Sequence, residues 1–409
     1  MRVVRLGLVG YGMFGADVVA GTLWDVHRNG LAPYLDRLGL DDWCARYVDT
    51  RIHTVAVGTR SEASAERARQ DFATNTGSAP EAFWGDRPWE EMLATADLDI
   101  LVVATPDNLH YEPIVAALTS GVHVVAEKPL CLSGAEAEEI VALAERSGLI
   151  VGVDMHKRYD PDHLRIFREL ARHMGGPICA RGVLEEPLEV STSTFKWAVE
   201  SDPFSYVGVH WVDLFCHYLG LHPSALYATG QKRLLREEYG IDAFDATQVT
   251  VTHECGTVVT YDNNWITPPD FEGPVNQGSE LLMAHGKIES DSQYRGLRYW
   301  VESGGSRTAN THFFRRVPRP DGSWCYLGYG KDSLIDCLER VARVLVLGAQ
   351  ASDLAGTYPD GRSQVVPCRI IEAARAVMRR NHERLESGQP QTVTAAFDGS
   401  GYRLAGDDV

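Results

Sequence analysis

Apolar strand-like runs alternate with amphipathic helical segments over the first 155 residues, and this alternation limits the fold more than any other feature of the chain. Five runs are typical of strands: VVRLGLVG, RIHTVAVG, LDILVVA, VHVVAEKPL and LIVGVDM. Several of them are apolar almost throughout, as expected of parallel strands that are covered on both faces. The alternation therefore predicts an α/β fold with a doubly wound parallel sheet.

The pattern changes after about residue 160. A helical segment, PDHLRIFRELARHMG, is followed by strand-like stretches with period-two alternation and then by two amphipathic helices, SLIDCLERVARVLVLG and PCRIIEAARAVMRRNHERLES. This order predicts a second α/β domain with a large, mostly antiparallel open sheet. We expect one domain over residues 1–155 and another over 156–409. The segment 27–49 lengthens the first strand–helix–strand unit and is interpreted as a helical excursion on the surface.

Composition argues against several classes of partner. The formal net charge of −17 has the wrong sign for a protein that holds nucleic-acid backbones, so we expect no nucleic-acid partner. No apolar run reaches the length of a membrane span, and no membrane partner is expected. The eight cysteines include no C-x-x-C pair, which predicts that there is no metal site. Scattered cysteines also fit a reducing, cytoplasmic location.

A G-x-G-x-x-G motif at Gly10, Gly12 and Gly15 follows the first strand and opens a helix. In such a position the first glycine makes a tight turn, the second lets a pyrophosphate approach the main chain, and the third lets helix and strand pack closely. Met13 and Phe14 lie in the same loop. A purely structural glycine turn is the alternative, but the strand–turn–helix context favours dinucleotide binding.

The end of the second strand bears on the choice of dinucleotide. NAD-binding units usually carry Asp or Glu there, to hold the ribose 2′-hydroxyl. This chain reads VAVGTRS and has no carboxylate before Glu62. Arg60 can pair with a 2′-phosphate, and Ser61 can add a hydrogen bond. The stretch favours NADP(H), with NAD(H) and a plain surface arginine as the alternatives.

Two further candidate turns follow strands of the same sheet. ATPDNLH carries Thr105, Pro106 and His110 after the third strand, and Glu127 and Lys128 end the fourth. The carboxyl ends of parallel strands form one edge of the sheet, and ligands bind beside that edge. These residues are therefore candidates for cofactor binding, with a plain turn and a solvated charge as the alternatives.

GYGMFG, TPDNLH and AEKPL, in this order and at these spacings, resemble the glucose–fructose oxidoreductase / inositol dehydrogenase family, often written Gfo/Idh/MocA. The resemblance implies a Rossmann domain followed by an α/β domain whose open sheet often mediates dimers or tetramers. It also implies oxidation or reduction of a secondary alcohol or ketone on a sugar or cyclitol. The family's E-K-P lysine corresponds to Lys128. That ammonium group would stabilise the oxygen charge that develops during hydride transfer.

The resemblance extends to the second domain, where the family usually shows D-x-x-x-H-x-x-D. In SYVGVHWVD, His210 matches the histidine and Asp213 the second aspartate, while Tyr206 stands in place of the first. His210 is expected to take or give the hydroxyl proton; a core histidine on an apolar helix is the alternative. Arg158 is assigned to the substrate pocket, or else to a salt bridge at a domain hinge. Trp197, beside Lys196, offers a ring face for a sugar; an aromatic residue at a domain interface is the alternative.

These features predict an NAD(P)-dependent oxidoreductase that interconverts a secondary alcohol and a ketone on a sugar, glycoside or cyclitol. Lys128, His210 and Tyr206 are its expected catalytic residues, and Arg158, Trp197 and Asp213 its expected substrate-binding residues. We expect a homodimer or homotetramer. One alternative is an NAD-dependent glycosidase that acts through transient oxidation. The other is a non-catalytic dinucleotide-binding sensor, a class that typically lacks the lysine or the histidine.

Overall fold

The computed structural model describes residues 2–302, 304–322 and 324–406, and the chain forms two compact units. Unit 1 comprises Met1–Cys131, Glu136–Asp160 and His312–Gln364; unit 2 comprises Leu132–Ala135, Pro161–Thr311 and Val365–Val409. The chain thus returns to unit 1 with the segment 312–364, here called the return segment. The expected division at residue 155 did not include this return. The functional roles assigned to 1–155 and 156–409 stay a prediction.

Unit 1 is built on a six-stranded parallel sheet in the order β3-β2-β1-β4-β5-β6. Its strands are β1 (Arg2–Val9), β2 (Thr50–Thr59), β3 (Glu81–Trp84), β4 (Ile100–Val103), β5 (His123–Ala126) and β6 (Val151–Val153). The chain runs outward from β1 to β3, returns to the centre and runs outward again from β4 to β6. The order therefore reverses between β1 and β4, which confirms the predicted doubly wound sheet.

The remaining strands are β7 (Pro177–Pro187), β8 (Pro223–Gln231), β9 (Ala246–His253), β10 (Val258–Thr267), β11 (Asn276–Met283), β12 (Gly286–Asp291), β13 (Arg298–Val301), β14 (Gly305–Thr308), β15 (Arg315–Pro318), β16 (Trp324–Leu327), β17 (Thr394–Phe397) and β18 (Tyr402–Ala405). Eight of them form the sheet of unit 2, in the order β12-β11-β7-β10-β9-β8-β17-β18. Only the β7–β10 pair in this sheet is parallel. The predicted large, mostly antiparallel sheet is thereby confirmed. β13–β14 and β15–β16 are separate two-stranded hairpins.

The α-helices are α1 (Ala20–Asn29), α2 (Glu62–Thr76), α3 (Pro88–Thr95), α4 (Tyr111–Thr119), α5 (Gly134–Ser147), α6 (Pro161–Leu164), α7 (Val209–Leu219), α8 (Leu234–Tyr239), α9 (Tyr329–Leu347), α10 (Ala351–Leu354) and α11 (Val365–Glu386). Among the described residues, π-helical segments at Gly15–Val19, Arg165–Leu170 and Phe204–Gly208 adjoin α1, α6 and α7. A further π-helical segment lies at Val190–Thr194. In the described part of the chain, none of the helices combines the length and the hydrophobicity that a bilayer span requires.

One face of the unit 2 sheet is covered by α7 and α11. Trp211 of α7 lies so close to β7 that a Cβ atom at Gly182 would stand 2.6 Å from its indole ring. Asn381 of α11 donates hydrogen bonds of 2.9 and 3.0 Å to the carbonyl oxygens of Ala228 and Val393. The helices are therefore fixed to the sheet by both close packing and buried polar contacts.

The segment 27–49 is helical, as predicted, and most of its residues lie at the surface, while a few apolar side chains reach the core. Between α1 and β2 it forms the short 3₁₀ helices Ala32–Tyr34, Asp36–Leu38 and Asp41–Tyr47. Leu31, Leu35 and Tyr47 are fully buried in the main core of unit 1. On its buried side the segment meets α9, where the Tyr47 hydroxyl donates to Glu339 at 2.7 Å.

Helix α9 brings several charged side chains into the core of unit 1, and each has a partner there. Lys331 lies 2.5 Å from Asp25 of α1, and both side chains are almost completely buried. The same aspartate accepts the main-chain N–H of Tyr326 at 2.9 Å. Glu339 pairs with Arg340 at 2.6 Å. Since an isolated buried charge is costly, the Lys331–Asp25 pair ties the return segment 312–364 to the earlier part of unit 1.

Candidate active site

The carboxyl ends of the parallel strands meet along one edge of the unit 1 sheet, at Gly10. Its N–H donates to the Gly58 carbonyl oxygen at 2.9 Å, and its φ of 97° lies in the region that favours glycine. A Cβ atom there would lie 2.2 Å from the carbonyl oxygen of Ala104. Only glycine therefore lets the ends of β1 and β4 come this close.

The two other glycines of the motif have different surroundings. A Cβ atom at Gly12 would meet no atom within 4 Å, whereas one at Gly15 would lie 2.9 Å from the Gly10 carbonyl oxygen. Gly15 thus allows close packing, and Gly12 borders open space. Met13 is exposed beside it. An open main chain at the start of a helix fits a dinucleotide pyrophosphate, because N–H groups and the helix dipole favour an anion there.

Phe14, also in this loop, belongs to an aromatic cluster that the sequence did not reveal. Its ring stacks on His156 at 5.9 Å and lies 6.3 Å from Phe313. Tyr329 lies 5.9 Å from His156 on a further side. His156 could have been found, because it follows β6 at the ligand-binding edge. Phe313 and Tyr329 come from the return segment, and no local pattern marks them.

The residues at the end of β2 bear on the choice between NAD(H) and NADP(H). β2 ends at Thr59, so Arg60 and Ser61 are the first residues beyond the strand, and Glu62 already begins α2. The Ser61 hydroxyl caps α2 by accepting the N–H of Ser64 at 3.4 Å. Arg60 is exposed and forms no ion pair with any residue that the structure describes. Its guanidinium is therefore available to a ligand.

His110 connects two loops at the same edge. Its Nδ1 lies 2.7 Å from the Pro129 carbonyl oxygen, and its Nε2 lies 2.9 Å from the Thr105 carbonyl oxygen. The ring is buried, and this burial lowers the pKa of His110. A neutral ring donates to one carbonyl only. His110 thus joins the loop after β4, which carries Thr105 and Pro106, to the loop after β5. Its assignment as a direct cofactor ligand stays a prediction.

Glu127, Lys128 and Asp154 form a buried charged group at this edge, each less than a tenth exposed. Burial raises the pKa of the Glu127 carboxyl well above its ordinary value, and the charge of Asp154 raises it further. Burial also raises the pKa of Asp154, to about 6, against the opposing effects of the nearby Ser333 hydroxyl, of Glu127 and of Lys128. Asp154 was not among the residues predicted for the site.

Arg158 lies on the 3₁₀ helix His156–Tyr159, and it is buried within unit 1. Its guanidinium donates to the Ser363 hydroxyl at 3.1 Å. The neighbouring Tyr159 hydroxyl donates to Asp336 of α9 at 2.5 Å. The helix is therefore held by the return segment, and the role of Arg158 toward substrate stays a prediction.

The predicted residues of the second domain lie in unit 2. Tyr206 is on the π-helical segment Phe204–Gly208, and His210 and Asp213 are buried on α7. The Tyr206 ring lies 5.4 Å from Trp197 and 4.7 Å from Phe195, in edge-to-face contacts. The structure thus brings Tyr206 together with Trp197, one turn before His210. Lys128 belongs to unit 1 and His210 to unit 2.

A parallel sheet in this order, with a glycine turn bordering open space where the order reverses, defines a dinucleotide-binding protein of the Rossmann class. The chain belongs to the Gfo/Idh/MocA family. Residues 4–155 match the domain described as "Oxidoreductase family, NAD-binding Rossmann fold". Residues 174–289 match the "GFO/IDH/MocA C-terminal domain". The resemblance inferred from the three motifs is thereby confirmed.

Individual relatives match over shorter stretches. A 1,5-anhydro-D-fructose reductase of Ensifer adhaerens is 36% identical over 93 residues, or 22% of this chain and 28% of the relative. A scyllo-inositol 2-dehydrogenase (NADP(+)) of Bacillus subtilis is 29% identical over 163 residues, or 40% of this chain and 36% of the relative. The chain therefore spans only about a third of the length of these two relatives.

Solved structures match over nearly the whole chain. Myo-inositol 2-dehydrogenase from Lactobacillus plantarum superimposes with a TM-score of 0.69 at 16% identity, over 97% of this chain and 100% of that one. At this identity the likeness concerns the fold, and it covers both units.

The different surroundings of Gly10 and Gly12 predict different effects of an added methyl group. Gly10→Ala should destabilise the fold by on the order of 1–3 kcal/mol, because the new Cβ atom meets the Ala104 carbonyl and φ is unfavourable. Gly12→Ala should leave the melting temperature unchanged but weaken NADPH and NADH binding roughly tenfold or more, because the methyl group occupies the space for the pyrophosphate. Thermal unfolding and fluorescence titration measure the two effects.

Gly176→Ala is the matched control, since Gly176 also borders open space without a positive φ. It should change neither quantity. Unaltered dinucleotide affinity in Gly12→Ala would show that the loop does not hold the pyrophosphate.

Proposed function

We propose that this protein is an NAD(P)-dependent oxidoreductase that interconverts a secondary alcohol and a ketone on a sugar, glycoside or cyclitol. The observation that carries the proposal is the position of Lys128, a buried ammonium at the ligand-binding edge of a dinucleotide-binding sheet. Two matched relatives, whose names give a sugar-derived ketone and an inositol, support the substrate class.

The proposed roles follow from the chemistry of each side chain. The nicotinamide cofactor, when bound, supplies the hydride acceptor or donor. Lys128 stabilises the negative charge that develops on the substrate oxygen, most effectively where water is excluded. His210 accepts the hydroxyl proton in the oxidation direction and returns it in reduction. Asp213 lies one turn further along α7, on the same helical face, and is proposed to bind substrate with Arg158.

Tyr206 and Trp197 are proposed to contribute an aromatic wall to the substrate site. Trp197 is partly exposed, and Phe195 stacks on it at 4.5 Å. A supported ring of this kind suits the C–H face of a sugar or cyclitol. Tyr206 keeps its ring in the same cluster, so its hydroxyl is the part that can orient His210 or reach the substrate.

We further propose that NADP(H) is preferred to NAD(H), and Arg60 supplies the test. Its guanidinium lies just beyond β2, and no carboxylate at the strand end repels a 2′-phosphate. The wild type should bind NADPH more tightly than NADH, and Arg60→Ala should reduce NADPH affinity by roughly tenfold to a hundredfold, because one charge-assisted contact contributes about 1.5–3 kcal/mol. NADH affinity should stay unchanged. Parallel titrations with both cofactors measure the difference, and an equal loss for both would contradict the role of Arg60.

Turnover of a substrate panel tests the catalytic roles. Myo-inositol, scyllo-inositol and common aldoses are supplied with NAD⁺ and NADP⁺, and absorbance of the reduced cofactor is followed. His210→Ala and Lys128→Ala should each lower kcat by roughly 100-fold or more while cofactor still binds. Tyr206→Phe should cost less, because the ring remains. Tyr206→Asp should move the acid limb of the oxidation profile to higher pH, since a carboxylate favours protonated His210.

His217→Ala and Lys287→Ala are the controls for these variants. His217 is an exposed histidine on the same helix α7, and Lys287 is an exposed lysine of β12. Both should retain wild-type turnover. If His210→Ala also retains it, His210 is a core residue and the proposed mechanism is wrong.

We propose a homodimer or homotetramer formed through the outer face of the unit 2 sheet. Leu282, Cys179 and Val258 lie side by side on β11, β7 and β10, and all three are exposed. Light scattering at micromolar concentration should give two or four times the chain mass of 45.2 kDa. The double substitution Leu282→Asp and Val258→Asp should shift the mass toward the monomer, and Val48→Asp, an exposed valine of unit 1, should not. A wild-type monomer would refute the proposed assembly.

A further inference from the structure

Asp154 lies beside Glu127 because of the register of β5 and β6. Ala126 is paired with Val153 in this parallel pair, so the next residue of each strand, Glu127 and Asp154, leaves the sheet at the same level. The Asp154 N–H still donates to the Ala126 carbonyl oxygen at 2.8 Å. Both carboxyl groups are therefore held side by side by the main chain.

The two carboxyl groups require a shared proton. No basic side chain among the described residues donates a hydrogen bond to the Asp154 carboxyl, whose close neighbours are the Ser333 hydroxyl and the Glu127 carboxyl. Two carboxylates cannot hydrogen-bond to each other unless one of them carries a proton. Adjacent buried acids also resist double ionisation, because the second negative charge is repelled by the first.

Among the described interactions of Glu127 and Asp154, Lys128 is the only cationic side chain that acts on the two carboxyl groups. Ser333 and Cys337 face Asp154 from α9, and the Cys337 thiol stays neutral because burial raises its pKa well above the ordinary value. His110 lies on the other side of Lys128, and its pKa is lowered by burial, so it stays neutral as well. The pair with one proton thus presents one negative charge to Lys128.

We propose that Asp154 is a positioning residue: it shares one proton with Glu127 and so keeps a single negative charge beside Lys128. This inference rests on the proposed function, because it gives the counter-ion of the lysine to which catalysis is assigned. An isolated buried lysine tends to lose its proton. The acid pair opposes that loss, because its negative charge stabilises the protonated ammonium group. The raised pKa of both carboxyls agrees with a pair that holds one proton near neutral pH.

The proton affinity of Lys128 can be measured without any substrate. The chain holds six lysines, so protein labelled with ε-¹³C-lysine gives few signals, and Lys128→Arg identifies the one of interest. Its ¹³C shift is followed against pH in the wild type, in Asp154→Asn, and in Glu127→Gln combined with Asp154→Asn. The double variant should lower the pKa of Lys128 by at least one pH unit, which is a tenfold loss of proton affinity. Asp154→Asn should lower it less, because Glu127 can still ionise.

Asp99→Asn is the matched control, since Asp99 precedes β4 at the opposite edge of the same sheet and pairs with Arg5. It should leave the Lys128 titration unchanged. If this double variant does not fold, Glu127→Ala combined with Asp154→Ala, which also removes both carboxyl groups, decides the question. A Lys128 titration identical to wild type in every folded variant overturns the proposal. A lowered pKa without dehydrogenase activity on the panel would retain the acid pair and reject the proposed function instead.

Discussion

The contact between the main chains of Gly10 and Ala104 determines where the other groups of the unit 1 site lie. It joins the end of β1 to the end of β4, and the Gly10 N–H adds the end of β2. Because β4, β5 and β6 pair in parallel register, the carboxyl ends of β5 and β6 lie at the same edge of the sheet as those of β1 and β4. Open space at Gly12, the loop tied by His110 and the buried lysine after β5 are consequences of this alignment.

The return segment supplies the second constraint, and it works through buried charge. α9 carries Lys331 and Glu339 into the core, where Asp25, Arg340 and Tyr47 satisfy them. Such pairs add little net stability compared with apolar packing, but separating them leaves an uncompensated charge in the core. The two contacts that leave α9, Lys331 with Asp25 and Glu339 with Tyr47, therefore specify one way of docking this helix. This docking places Ser333 beside Asp154 and Tyr329 beside His156.

Features that depend on residues close together in the chain could be predicted from the sequence. The apolar runs of β1 to β6, the glycine loop and the end of β2 are local, and the ordered motifs were sufficient to identify the family. Sequence reasoning missed what depends on distant partners. Lys331 looks like an ordinary charge on an amphipathic helix until Asp25, 306 residues away, is placed beside it. For the same reason the burial of Leu31, Leu35 and Tyr47 within the segment 27–49 was not anticipated. Asp154 was interpreted only as the end of an apolar strand, because its significance needs the register of β5 and β6.

The overall charge of −17 would repel an anionic dinucleotide at long range, so binding has to depend on short-range groups. At physiological salt the Debye length is only about 8 Å, and most exposed carboxylates therefore have little influence at the edge of the sheet. What remains there is local: main-chain N–H groups at the glycine loop, the start of a helix, and Arg60. The acid pair fits the same scheme, because one retained proton prevents two adjacent carboxylates from adding a further uncompensated negative charge beside Lys128.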